Sequence, residues 1–212
     1  SELSKKYSEK EISDTGLFYK NEKYKKYINR FYSRIIFPIR NITGDVIAFG
    51  GRIIEDKKIA KYINSPETEF YKKGRHVFNL DKARSAHNKD HEVIIVEGYM
   101  DVISIYSNGI KNVVSNSGIA LTENQINLIW KFFSNPIICL DGDQSGQNAA
   151  LRIAEKLFPL INEENKIFFS IIPEGNDPDD YIKQKGKENF LLLLKEKKII
   201  QSFIWENYLN KI

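Results

Sequence analysis

The sequence predicts an α/β chain: a mainly parallel sheet flanked by helices, preceded by part of a smaller α+β region and followed by carboxyl-terminal helices. Three observations lead there. From Glu92 onward, short apolar, β-branched runs alternate with helical patterns. Such runs, apolar on both faces and separated by helices, are the mark of βαβ units. Before Glu92 the rhythm differs: apolar runs at 34–40 and 46–50 flank Asn41-Ile42-Thr43-Gly44-Asp45, a spacing that reads as a hairpin. The last stretch, 199–209, is amphipathic. The expected division is 1–90 for the smaller region, 91–180 for the sheet domain and 181–212 for the closing helices.

In chain order, 8–12 and 21–27 read as short polar helices. After the hairpin, 56–58 reads as a loop tip. Ser65-Pro66 ends any regular element there, because a residue before proline is pushed to extended geometry. A short helix is expected over 80–87. Then come strand 93–96, helix 99–107 and strand 112–115. Thr122-Glu123-Asn124-Gln125 forms a capping box that opens a helix reaching Phe132. Strand 137–140, helix 145–158 and strand 166–172 follow. Asp177 as N-cap and Pro178 at the first helical position start another helix, which Gly186 ends.

At 212 residues, a chain of this size buries roughly 70% of its unfolded surface, so it needs no disulfide or metal clip to fold. Hydrophobic residues at 42% and charged residues at 28% exclude global disorder and a collagen-like class. No apolar run approaches the roughly 18 residues of a membrane span, and the first thirty residues lack the apolar core of a signal peptide. Ser1 and the stop after the amphipathic run read as cuts in a longer protein. Cys139 is the only cysteine, which fits a reducing cytoplasm and excludes a cysteine-rich zinc site within this chain. Any metal is left to carboxylates, which suit Mg²⁺ or Mn²⁺. The net charge of +4 permits nucleic acid without demanding it.

The chemistry lies at the strand ends. Strand 93–96 runs into Glu97-Gly98, strand 137–140 into Asp141-Gly142-Asp143, and strand 166–172 into the segment that holds Asp177 and Asp179. In a parallel sheet these ends share one edge, where open α/β folds bind ligands. Carboxylates two residues apart on an extended segment point the same way. Alone, Glu97 also fits a solvated strand end, Asp141-Gly142-Asp143 a turn, and Asp177 with Asp179 a first helical turn. Together they would repel one another unless divalent cations sat among them. Two such ions clamp an in-line phosphoryl displacement. Tyr99, Met100, Tyr106, Trp130 and Cys139 read as core packing.

The run Val93-Ile94-Ile95-Val96-Glu97-Gly98-Tyr99-Met100-Asp101, followed by Asp141-Gly142-Asp143-Gln144-Ser145-Gly146, resembles the toprim domain. Bacterial primases, type IA and type II topoisomerases and some nucleases share that domain. The Glu-Gly-Tyr-Met-Asp form resembles bacterial primases and their phage relatives in particular. Arg34-Ile35-Ile36-Phe37-Pro38-Ile39-Arg40, Ala48-Phe49-Gly50-Gly51-Arg52 and Lys61-Tyr62-Ile63-Asn64-Ser65-Pro66-Glu67-Thr68, with Lys73-Gly74, resemble further primase segments. Tyr32 stands where many relatives carry a basic residue, Ala48 where a glycine is usual and Ile119 where a threonine is usual.

The resemblance implies a primase catalytic core: a DNA-dependent RNA polymerase making short RNA primers on single-stranded DNA. It makes Glu97, Asp141 and Asp143 catalytic, and adds Asp177 and Asp179 as metal ligands for two or more Mg²⁺ or Mn²⁺ ions. It assigns Arg30, Arg34, Arg52, Lys61, Tyr62, Asn64 and Lys73 to nucleotide or template. Ribonucleoside triphosphates, single-stranded DNA and the RNA primer are the implied ligands. A replicative helicase and a single-strand-binding protein would bind through parts beyond this chain, with no membrane, at a cytoplasmic replication fork in the nucleoid. Another toprim enzyme, topoisomerase or nuclease, and a catalytically inert nucleic-acid-binding fragment are the alternatives.

Overall fold

The computed structural model describes residues 3–21, 23–54, 59–86, 91–118, 120–173 and 175–209. The chain divides into two units, Ser1–Lys73 and Gly74–Ile212. The expected loop tip at 56–58, the end of the helix at His87, and Ile119 lie outside the described residues.

The first unit begins with helices α1 (Leu3–Lys6) and α2 (Glu9–Asp14). Ser8 caps α2 through a capping box with Glu11, which satisfies two otherwise orphaned N–H groups. Strands β1 (Phe18–Asn21) and β2 (Lys26–Asn29) then pair antiparallel. This corrects the helix expected over 21–27. The Asn21 Oδ1 accepts the N–H groups of Lys23 and Tyr24 at 3.1 Å each. A side chain that bonds the backbone just ahead of it competes with helix formation, and Lys25 takes a left-handed φ of 49°. Strands β3 (Arg34–Arg40), β4 (Val46–Ile53) and β5 (Tyr62–Asn64) form an antiparallel sheet in the order β3-β4-β5. The β3–β4 turn uses Gly44 at φ +97°, a region closed to most side chains. Pro38 is tolerated because β3 is an edge strand.

The second unit carries α3 (Leu80–Ala83), shorter than expected, and then β6 (Glu92–Val96), α4 (Tyr99–Ser107), β7 (Val113–Ser115), α5 (Glu123–Trp130), β8 (Asn135–Leu140), α6 (Gln144–Leu157), β9 (Phe168–Ile171), α7 (Pro178–Lys195), β10 (Lys198–Ile199) and α8 (Ile200–Leu209). The sheet order is β10-β9-β8-β6-β7. Strands β6 to β9 are parallel, and β10 closes one edge antiparallel to β9. Side chains alternate across the sheet. Val93, Ile95, Ile138 and Leu140 pack with Ile126, Ala150, Ala154 and Phe203 from α5, α6 and α8. Ile94, Val96, Ile137 and Cys139 pack with Val102, Ile105, Ile182 and Phe190 from α4 and α7. A sheet covered on both faces leaves its strand ends as the place for polar chemistry. Gly186 does break its helix, at φ +79° and ψ 171°, but a second helical piece resumes directly and completes α7.

Candidate metal centre

Parallel pairing of β6, β8 and β9 puts the residues after Val96, Leu140 and Ile171 on one edge of the sheet. Glu97 follows β6 directly. Its carbonyl oxygen accepts the Ser115 hydroxyl at 2.7 Å and the Gly118 N–H at 2.9 Å. These bonds tie Glu97 to the end of β7 and the turn after it, where Ser117 and Gly118 are both left-handed.

Asp141 follows β8 directly, and Asp143 is the N-cap of α6, with Oδ1 accepting the Gly146 N–H at 2.6 Å. Backbone packing is tight here. A Cβ on Gly142 would sit 2.0 Å from the Ile172 carbonyl oxygen, and one on Gly146 would sit 2.3 Å from the Asp141 carbonyl oxygen. Beyond β9, Asp177 caps α7 by accepting the Asp180 N–H at 2.7 Å. Among the described residues, Asp177, Asp179 and Asp180 each offer a carboxylate oxygen within 4.8 Å of the others. Asp179 Oδ2 accepts from Lys183 at 2.6 Å, while its Oδ1 is buried with no hydrogen-bond partner among the described residues.

Two members of the edge escaped sequence reasoning. Asp180 joins the α7 cluster. Asp101 sits in the first turn of α4, where its Oδ2 accepts the Gly98 N–H at 2.9 Å. The signal for Asp101 was its place four residues after Glu97, since a helix that follows a strand in a βαβ unit starts at the same edge.

The electrostatics report a shared negative field. Burial, then Asp143, raises the Glu97 carboxyl above its usual range. Burial pushes Asp141 up to about 6, with Glu97, Asp177 and Asp143 adding to it. Burial also pushes Asp101 up to about 7, against the Gly98 N–H and with Asp177, Asp141 and Asp179 adding to it. Hard oxygen donors, mutual repulsion and the orphaned Asp179 oxygen together fit a divalent cation of the Mg²⁺ class. Glu97, Asp141 and Asp143 share this edge, but the tightest grouping is the one at the start of α7. Asp143 is held toward its own helix by the cap.

These shifts make the metal-free protein pH-sensitive. A carboxyl with a raised folded-state pKa keeps its proton longer when folded. Below the ordinary carboxylate value both states are protonated and the group contributes nothing. As pH climbs from there to about 7, the value for Asp101, the unfolded chain ionises first and stability falls. Asp101→Asn, which can still accept the Gly98 N–H, is expected to remove part of that slope. It should gain on the order of 2 kcal/mol at neutral pH, half the full linkage value once solvent screening is allowed for. Urea unfolding in chelator across this range checks it, and identical pH slopes in the two proteins would refute the assignment.

The basic residues belong to the first unit. Ile35, Arg52 and Tyr62 lie opposite one another across β3, β4 and β5 and therefore share a face. Asn64, opposite Gly50, lies on that face too. The Arg52 guanidinium and the Lys61 Nζ each lie 5.9 Å from the Tyr62 ring centre. Arg34 lies on the other face, where it donates to the carbonyl oxygens of Ala60 at 2.9 Å, Lys61 at 3.2 Å and Gly51 at 3.4 Å. Arg30 Nε donates to the Gly16 carbonyl at 3.1 Å. The Lys73 backbone N–H donates to Glu67 Oε1 at 3.2 Å. The structure thus gives Arg34 and Arg30 backbone partners, and sets Arg52, Lys61 and Tyr62 together.

Comparison with known proteins identifies the family. The family model for the DNA primase catalytic core, N-terminal domain, matches residues 1–84, and a toprim-like model matches 94–182. The DNA primase of Pseudomonas aeruginosa is 39% identical over 181 residues, 85% of this chain and 27% of that protein. That of Escherichia coli K12 is 33% identical over 201 residues, 95% of this chain and 34% of that protein. The chain therefore spans about a third or less of the curated relatives it matches. A DnaG primase catalytic domain solved bound to single-stranded DNA superposes with a TM-score of 0.90 at 31% identity, covering 99% of this chain and 66% of that one. A primase domain from Pseudomonas aeruginosa gives 0.89 at 36%, covering 95% and 63%. No described helix is long and apolar enough to cross a membrane. With primase relatives along nearly its whole length and a toprim sheet carrying acidic strand ends, this chain belongs to the DnaG-type bacterial DNA primase family, as part of the catalytic core.

Proposed function

We propose that this chain performs metal-dependent nucleotidyl transfer in the synthesis of short RNA primers on single-stranded DNA. The observation that carries the reading is the gathering of Glu97, Asp101, Asp141, Asp143, Asp177 and Asp179 at one sheet edge, where burial and neighbouring carboxylates drive the Glu97, Asp101 and Asp141 carboxyls upward. Asp141, Asp177 and Asp179 would hold Mg²⁺ or Mn²⁺, with Asp143 and Glu97 beside them. Bound there, such ions supply charge stabilisation to attacking and leaving oxygens. Glu97, with its proton affinity raised by burial and by Asp143, would accept the proton of the attacking 3′-hydroxyl. Arg52 and Lys61 neutralise phosphate oxygens of nucleotide or template, and Tyr62 shields the pair from one side. Asn64 shares that face, and Lys73, Arg30 and Arg34 would add positive charge elsewhere in the same unit.

The whole protein would act at a cytoplasmic replication fork. Helicase and single-strand-binding partners would be engaged by segments outside this chain. The test is ribonucleotide incorporation on a single-stranded template by the full-length protein. Divalent-dependent RNA products are expected, whereas cleavage or relaxation of DNA without RNA synthesis would point to another toprim chemistry. Arg52→Ala and Lys61→Ala are each expected to shrink the log-salt slope of single-stranded DNA binding by about 0.7 per lost phosphate contact. If they hold nucleotide instead, DNA affinity stays and the nucleotide KM rises. Unchanged affinity for both ligands would return them to ordinary solvated surface.

A further inference from the structure

The β1–β2 hairpin contains none of the residues assigned above, although Arg30 follows it directly. The unit that holds it, Ser1–Lys73, carries 16 Lys+Arg against 10 Asp+Glu, whereas the rest of the chain carries 16 against 18. Lys20, Lys23, Lys25 and Lys26 fall within seven residues of this hairpin, all exposed. Interleaved with them are Tyr24, 62% exposed, and Tyr19, 44% exposed. Rings and cations are already paired. The Lys23 Nζ lies 5.5 Å from the Tyr24 ring centre, the Lys20 Nζ 5.9 Å from that of Tyr27, and the Arg30 guanidinium 5.9 Å from that of Tyr19. Asn21 fixes the tip by accepting two backbone N–H groups. Among the described residues the acidic contact is one long ion pair, Lys20 to Glu9 at 3.9 Å, with both side chains largely exposed; such a pair is worth little.

A lone two-stranded hairpin is marginal in water, and clustered like charges weaken it further. A polyanion would relieve that repulsion. Exposed rings beside the lysines select among polyanions: duplex DNA keeps its base faces stacked away, an acidic peptide offers carboxylates, and a single strand offers phosphates together with unstacked bases.

We infer that the β1–β2 hairpin is a contact for single-stranded nucleic acid, with Tyr24 stacking on a base and Lys23, Lys25 and Lys26 on the flanking phosphates. This rests on the primer-synthesis reading for its biological setting, but the test does not. Binding of a fluorescent oligothymidine and of an abasic strand of equal length is measured on the whole chain, in chelator and without nucleotide. Tyr24→Ala is expected to weaken the oligothymidine complex roughly fivefold or more and to leave the abasic complex unchanged. Replacing Lys23, Lys25 and Lys26 together by glutamine is expected to shrink the log-salt slope by about 2 for both strands, at about 0.7 per contact. Circular dichroism identical to the parent protein confirms that each variant is folded. Equal weakening of both strands by Tyr24→Ala would overturn the stacking role. Unchanged affinity and slope in both variants would overturn the contact altogether. So would loss of polyglutamate binding with DNA binding intact, which would mark an acidic protein partner instead.

Discussion

Asp141→Asn is expected to lower primer synthesis by roughly a thousandfold or more while leaving the metal-free protein at least as stable as the parent. The activity loss would follow from removing a proposed metal ligand at the point where burial, then Glu97, Asp177 and Asp143, raise the Asp141 carboxyl. Metal ions of this kind supply several kcal/mol of charge stabilisation, and about 1.4 kcal/mol is a factor of ten in rate. Stability moves the other way because a neutral amide relieves the repulsion its neighbours felt. Asp143→Ala should differ in sign. Its Oδ1 caps α6 through the Gly146 N–H, and losing such a cap costs about 1 kcal/mol. Primer assays beside thermal melts in chelator separate the two. A large fall in melting temperature for Asp141→Asn would make that residue a structural turn.

Gly142→Ala should be the most damaging single methyl in the sheet domain. The added Cβ would meet the Ile172 carbonyl oxygen at 2.0 Å, a backbone atom that no rotamer change can move. Overpacking of this kind costs about 3 kcal/mol or more, or roughly 6–12 °C in melting temperature for a chain of this size. The strain falls between Asp141 and Asp143, so metal affinity should drop with stability. Gly146→Ala sets two effects against each other. Inside a helix the change is worth about 1 kcal/mol in favour of alanine. Here the Cβ would press on the Asp141 carbonyl oxygen at 2.3 Å, and that penalty is the larger. A Gly146→Ala protein that melts above the parent would show that the strand end can move.

The sheet domain was legible because its signals are local. Helix 99–107 matches α4 at both ends, the Thr122 box opens α5 as read, and the strand ends carry their carboxylates onto one edge. The misreadings have physical causes. The stretch from Asn21 to Tyr27 is polar and lysine-rich, and nothing in its composition separates a helix from a hairpin. The Asn21 turn and the pairing of Lys20 with Tyr27 decide it. Gly186 reads as a stop in sequence, yet tertiary burial of Phe190 and Leu194 restarts the helix beyond it. The amphipathic run from 199 hides the short β10, whose ladder with β9 is a long-range contact. Spacing puts Asp101 at the same edge as Glu97, but its burial, which sets its proton affinity, exists only in the folded chain.

Mn²⁺ binding to the metal-free chain, followed by the paramagnetic resonance of the free ion, addresses the carboxylate edge most directly. Saturable binding is expected in the parent and in an Arg52→Ala, Lys61→Ala double variant, with binding lost in Asp141→Asn and in Asp179→Asn. Parent-like Mn²⁺ binding in both carboxylate variants would contradict the metal centre and the nucleotidyl transfer built on it.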